Sequence, residues 1–423
     1  MPVPGGRAAL AAAAFVVCAP SAVAASPLEL FGFGARSTGL AGAGVASTDS
    51  YESVYLNPAG LAHVPRKRAT IGTLYGDFSL RMDGDDTGTE SARGLVIGGE
   101  LPIPFGGAWK DRVGLGFGFY VPAVAINRAR HPFPGEPVFV LLENRTHVIA
   151  IQLAAGARIT SRLDVGVGVV ALAVLQGSIA VSTDAAGRFT TASEQQLLTR
   201  LAPVAGVRWH ARDDLDLGAV ARAPSRSDYD ILVTSDIGDV VPIELPPIHI
   251  AGAAQYDPGT VAIEAAWQTS PGLTLSAQLQ WQHWGAFPLP TKNPTEGTPA
   301  QELPDFHDTV VPRLAIERVG RRGATTLAAR GGLAFVMSPA PEQSGRQSLL
   351  DNHRVIGAAG VGVAWPEARV PLHLDAWVQW HQLVPRTHTK DVGAFGPDDM
   401  IPFDVLETSG HLVVGGLSVG VDL

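Results

Sequence analysis

The sequence predicts an all-β fold: a transmembrane antiparallel β-barrel of about 14 strands, plugged by a short N-terminal helical hatch. Three observations predict it. Hydrophobic residues make up 46% of the 423 residues and charged residues only 17%, yet no apolar run approaches the roughly 20 residues of a spanning helix. Long segments instead alternate apolar and polar residues, the period of a strand with one face in lipid. Short turns also alternate with long polar or proline-rich connections, the asymmetry of a barrel with turns at one rim and loops at the other.

Residues 1–25 read as a secretory signal: Arg7, an apolar run at 8–17, then Ala22-Val23-Ala24 as the small-residue cleavage site. Cys18, the single cysteine, falls inside it, so the mature chain is expected to have no disulfide. Phe15-Val16-Val17 lacks the small residue that lipidation of Cys18 would require. The formal charge is −9, and without Arg7 it is −10, which argues against a nucleic-acid partner.

Residues 26–65 form the hatch. The stretch is too glycine-rich for a stable free helix and too apolar for a linker, so it needs a surrounding structure to bury it. Ser47, Thr48 and Asp49 are candidate caps of a helical turn running toward Tyr55, and Pro58 disfavours helix at Asn57, where a turn should begin. Phe31 and Phe33 are candidate linings of an apolar pocket, with plain core packing as the alternative.

Residues 66–423 form the barrel. In 273–282 the apolar Leu273, Leu275, Ala277, Leu279 and Trp281 alternate with Thr274, Ser276, Gln278, Gln280 and Gln282. The pattern recurs near 355–365 and 372–381, and ends in tryptophan where an interfacial girdle would lie. Short joins are expected at 212–214, 270–272, 320–323 and 366–368. Long loops are expected near 127–141, 182–197, 235–257, 285–307, 338–351 and 384–408. The last strand runs to Leu423, which departs from the aromatic residue on which such barrels usually finish. A soluble sandwich would also alternate, but would not need so many long strands or one-sided loops.

Few motifs suggest chemistry. Gly416-Leu417-Ser418-Val419-Gly420 matches a serine-hydrolase elbow, but no helix can follow so near the terminus. His373, His381 and His411 lie on late strands and read as satisfied polar residues. The acidic stretch 83–90 partly follows a calcium loop and fails at the twelfth place, where Gly94 stands; a solvated acidic hairpin is the expectation, with a weak divalent-cation contact that could bridge lipopolysaccharide as the alternative. Arg188, Arg222, Arg226 and Arg313 are basic residues that could meet an anionic ligand. No catalytic residue, metal or cofactor is expected.

At this point the sequence resembles the FadL/TodX family of outer-membrane transporters for long-chain fatty acids and other hydrophobic compounds. The resemblance rests on 39–46, 50–55 and Asn57-Pro58-Ala59, and more weakly on Trp281-Gln282-His283-Trp284 with Phe287, on Pro339 and Pro341, and on 350–354. It implies a 14-stranded barrel plugged by the hatch, anchored to the wall by Asn57, Pro58, Ala59 and Gly60. It also implies passive transport of an apolar ligand caught at extracellular loops, held beside the hatch, and released sideways where the third strand kinks. Pro122 is the candidate for that kink, because proline cannot donate a ladder hydrogen bond, and a simple strand end is the alternative. The expected setting is the outer membrane of a Gram-negative cell. The expected partners are a fatty acid or hydrocarbon, membrane lipid and lipopolysaccharide, and the barrel-assembly machinery, with the protein a monomer. An open porin for polar solutes and a structural or adhesion barrel are the competing readings.

Overall fold

Alternation this regular can close only as a sheet with unlike faces, and the computed structural model is such a sheet. It describes residues 27–123, 136–143, 149–183, 189–236, 247–289, 291–292, 302–397 and 399–423. Its wall strands are β1 (Arg68–Met82), β2 (Ala92–Pro102), β3 (Val113–Pro122), β4 (Ala150–Arg158), β5 (Leu163–Thr183), β6 (Phe189–Arg212) and β7 (Leu215–Arg222). These are followed by β8 (Gly259–Ser270), β9 (Leu273–His283), β10 (Thr309–Arg322), β11 (Thr325–Val336), β12 (Arg354–Trp365), β13 (Leu372–Leu383) and β14 (Val405–Asp422). Each pairs antiparallel with the next, and β14 pairs with β1 from Arg68↔Asp422 to Met82↔Thr408, which closes a 14-stranded barrel with no free edge. Arg68 Nε donates to Asp422 Oδ1 at 2.6 Å and fastens the seam at one rim.

The two faces are the reverse of a soluble protein's. In β9, Leu275, Leu279 and Trp281 are 40–47% exposed on the outer face, whereas Ser276, Gln278, Gln280 and Gln282 are buried toward the lumen. Leu153, Ile263, Leu314, Leu333 and Leu417 continue the outer apolar surface around the wall. Leaving that much hydrocarbon in water would forgo the largest favourable term in folding, so this surface is built for lipid. Exposed Trp209 and Trp267 mark one rim, and exposed Trp281 and Trp380 lie toward the other.

All four short joins expected from the sequence fall at the rim that also holds the start of β1 and the end of β14, and the loops expected to be long fall at the other. Some strand bounds differ. Residues 189–197 are not loop but the start of β6, paired with Leu175–Thr183 of β5. Above the membrane both faces of a hairpin may be polar, so the alternation that marks a strand disappears there. The strand expected to follow the 127–141 loop begins at Ala150, and Phe139 and Leu142 ahead of it are buried. The stretch between the join at 212–214 and the loop expected from 235 is not one strand: it is interrupted at Ala223-Pro224, and its continuation, Ser225–Asp236, pairs in parallel with β5 and antiparallel with Ile248–Asp257.

Candidate functional site

Residues 27–64 occupy the barrel interior. They form helices α1 (Pro27–Phe31) and α2 (Ala35–Thr38) and two 3₁₀ turns, Tyr51–Val54 and Pro58–His63. The first turn is capped by Ser50, whose hydroxyl accepts from Glu52 N at 3.4 Å; Ser50, not the expected Ser47, Thr48 or Asp49, sits where the chain leaves extended geometry. Glu52 staples the segment together, accepting from Arg36 N at 2.9 Å and Ser37 N at 2.8 Å at the open start of α2.

Asn57 uses both ends of its amide. Oδ1 accepts from Ala59 N at 3.1 Å and caps the second turn, with Pro58 in the first helical place. Nδ2 donates to Val45 O at 2.7 Å within the segment and to Val207 O at 3.0 Å on β6. Gly60 has no room for a side chain: a Cβ there would stand 2.1 Å from Thr48 O.

The wall receives this segment in wells made of glycine. A Cβ on Gly98 would fall 2.0 Å from the Tyr51 ring, on Gly118 2.5 Å from Phe33, on Gly166 2.2 Å from Pro58, and on Gly332 2.3 Å from Leu40. Polar ties fill the intervals. Glu264 Oε2 accepts from Gly44 N at 2.7 Å, Gln379 Nε2 donates to Thr38 O at 2.8 Å, and Arg313 Nε donates to Ala41 O at 3.1 Å. An ion chain runs from the segment along the inner face of β10–β13: Arg36 meets Glu317 at 2.6 Å, Glu317 meets Arg330 at 2.8 Å, and Arg330 meets Asp375 at 2.6 Å.

The segment thereby divides the lumen. Toward the short-turn rim lies a charged recess of about 410 Å³, bounded by Arg36, Glu52, Arg68 and Asp375. Toward the long-loop rim lies a cavity of about 60 Å³ between α1 and strands β7–β13, with Leu28, Phe31, Trp284 and Ile356 beside Glu29, Arg222 and Arg313. Glu29 is held by Tyr55 Oη at 2.9 Å and Gln280 Nε2 at 3.0 Å, and also by Gln282 Nε2, with Arg222 at 3.8 Å. The guanidinium of Arg222 lies 4.1 Å from the Tyr55 ring centroid.

Phe31 is therefore at the cavity, with its ring 6.2 Å from those of Phe78 and His381. Phe33 is not among the lining residues; it packs against Tyr51 at 5.6 Å and Tyr55 at 6.3 Å. Pro122 is the last residue of β3, opposite Gly94, and one further ladder bond follows it, from Ala123 N to Arg93 O at 2.8 Å. Residues 124–135, just beyond it, lie outside the described residues, as do Arg188 and residues 1–26.

The remaining motifs find ordinary places. Ser418 lies within β14, with no elbow. His373 pairs with Asp422, His381 with Gln379, and His411 stacks on Trp380. Asp83 closes the acidic hairpin by accepting from Glu407 N. Arg226 pairs with Asp228. One cluster had no signal in the sequence, because its members are far apart: His63, Asp164 and His210 converge at the short-turn rim.

A closed 14-stranded barrel with an apolar outer face and an occupied lumen defines the class: an outer-membrane-type β-barrel. Its fold is that of the FadL-type barrels. A Pseudomonas aeruginosa FadL homologue superposes with a TM-score of 0.64 at 15% identity, over 92% of this chain and 98% of that one. The Pseudomonas putida toluene transporter TodX gives 0.54 at 13% identity, over 93% and 99%. In sequence, alkane uptake protein A of Marinobacter nauticus is 22% identical over 373 residues, 81% of this chain and 80% of that protein. No family model matches.

Proposed function

We propose that the protein passes apolar small molecules across the outer membrane by passive transport, with residues 26–65 acting as the hatch. The observation that carries this reading is the cavity beside α1. It brings apolar side chains of the hatch, Leu28 and Phe31 among them, against a polar bank of glutamines and arginines from the wall, so that apolar surface and convergent polar groups meet in one cavity. At about 60 Å³ it is far below the 300 Å³ or more of a ligand pocket, so a ligand is admitted only as the hatch shifts. That the similar proteins include an alkane uptake protein and a toluene transporter supports an apolar substrate. An open porin is disfavoured by the filled lumen.

In this reading Asn57, Pro58, Ala59 and Gly60 anchor the hatch, Phe31 contributes to the ligand site, and Phe33 holds the hatch core. Lateral release beside Pro122 is supported by the place of that proline at the end of β3, past the last β3–β4 pair, Tyr120 with Ala150. The test uses the purified barrel in detergent and in planar bilayers. Expected are saturable binding of an alkane, alkylbenzene or long-chain fatty acid above a control barrel, and little ionic current until the hatch is deleted. Large current through the intact protein would favour the porin, and absence of binding would remove the substrate class.

A further inference from the structure

We propose that His63, Asp164 and His210 form a site for a divalent transition metal, with zinc as the representative ion, that fastens the end of the hatch to the wall. The three residues come from three elements: His63 ends the second 3₁₀ turn, Asp164 begins β5, and His210 lies near the end of β6. Their ligand atoms all lie within 4.8 Å of one another. His63 Nε2 stands 2.7 Å and His210 Nε2 3.0 Å from Asp164 Oδ2. Bonds of about 2.0–2.1 Å to a central ion would hold such atoms roughly 3.3 Å apart in a tetrahedron, so each histidine nitrogen draws back from Asp164 by a few tenths of an ångström as the ion enters.

Two further observations point to a ligand. The Asp164 side chain is fully buried, and its Oδ1 has no hydrogen-bond partner although Oδ2 faces three donors, from His63, His210 and Arg208. A cation shared with the histidines redistributes that load. His210 is also already oriented: its Nδ1 lies 2.6 Å from Asp216 Oδ1, the carboxylate that characteristically fixes a metal-bound imidazole with Nε2 toward the ion. The His63 and His210 side chains are 28% and 25% exposed, which leaves an approach from solvent and a fourth position for water.

Two arginines oppose the ion. Arg208 Nε is 3.3 Å from Asp164 Oδ2, and Arg158 Nη2 is 3.1 Å from His63 Nδ1. When His63 ligates through Nε2 its Nδ1 carries the proton, so Arg158 must turn away toward solvent. The site is accordingly weaker than a structural zinc finger, and it binds when the histidines are neutral.

The test is metal titration of the full barrel, freed of any affinity tag and stripped with chelator. Zinc should bind one to one, and cobalt should give the intense visible absorption of a tetrahedral complex. His210→Ala, His63→Gln and Asp164→Asn should each weaken zinc binding at least about tenfold, and Asp216→Asn about 10–100-fold. His353→Ala, at the opposite rim, should leave it unchanged. Heat-modifiable gel mobility confirms that each variant is folded, and the cobalt spectrum of the unaltered protein tests the site without any variant. Absence of a tetrahedral cobalt spectrum, or zinc binding that survives His63→Gln and His210→Ala in folded protein, overturns the proposal.

Discussion

Gly206 and Asn57 are fitted to one another: a Cβ on Gly206 would stand 2.0 Å from Asn57 Oδ1, and Asn57 Nδ2 donates to the carbonyl of the very next wall residue, Val207, at 3.0 Å. The asparagine can lie this close to β6 only because the wall has no side chain there. Gly206→Val should push Asn57 off its partners without touching the outer face. The expected result is a folded barrel with raised ionic conductance in planar bilayers, and a variant as tight as the parent would count against the anchor.

Asn57→Ala removes the same tie from the other side. It leaves Val45 O and Ala59 N, both deep in the lumen, without their partner, at about 1–3 kcal/mol for each buried group. Amide exchange should quicken in residues 57–63 while the strands keep their protection.

Glu317 is the shared partner of Arg36 from the hatch and Arg330 from the wall. Glu317→Leu strands the largely buried guanidinium of Arg36 while Arg330 keeps Asp375, a change worth about 3–5 kcal/mol. The loss should appear as protease sensitivity of residues 34–45, and pairing the change with Arg36→Met should restore part of the resistance, since an apolar replacement of the whole pair avoids the stranded charge.

The outer face gives a separate test. Leu279→Arg places a cation on the lipid side and should cost about 2–4 kcal/mol near the midplane in urea unfolding from vesicles. The same change at Ala358, which faces the lumen, is governed by packing against the hatch instead.

At the long-loop rim, His388 Nδ1 accepts from Gln343 N at 3.2 Å, a contact that requires the neutral ring. Burial, aided by Arg386 and Lys390, lowers its pKa from 6.5 to about 4. The folded state therefore resists a proton that the unfolded state accepts, and the stability contributed is present above about pH 6.5 and lost as pH falls toward 4. Amide exchange at 343–349 should accelerate on acidification over that window, and His388→Gln, which keeps an acceptor but cannot titrate, should flatten the response.

The barrel was legible because lipid enforces one rule on every wall strand, so Leu275, Leu279 and Trp281 declare their face without reference to any neighbour. The same rule lapses above the membrane, where 189–197 looked like loop and extends β6. Asn57-Pro58 was legible as a turn through local chemistry. Its partner Gly206 was not, since a wall glycine looks the same whether it weakens a strand or receives an amide. The ion chain from Arg36 to Asp375 and the convergence of His63, Asp164 and His210 join residues that only the closed fold brings together. Phe31 and Phe33 look equivalent in the sequence, and only the path of α1 sends one to the cavity and the other to the core.

The glycine wells dictate an order of assembly. Strands from β2 to β12 grip the N-terminal segment from around the whole circumference, in a fit that leaves no room for a single added methyl group, and threading it into a finished cylinder would have to reach that fit everywhere at once. A sheet that wraps around the segment, with the meeting of β1 and β14 as the last step, meets no such obstacle. A glycine-to-alanine change in a well would then show itself first as a slow or abortive maturation, before any defect in the completed channel.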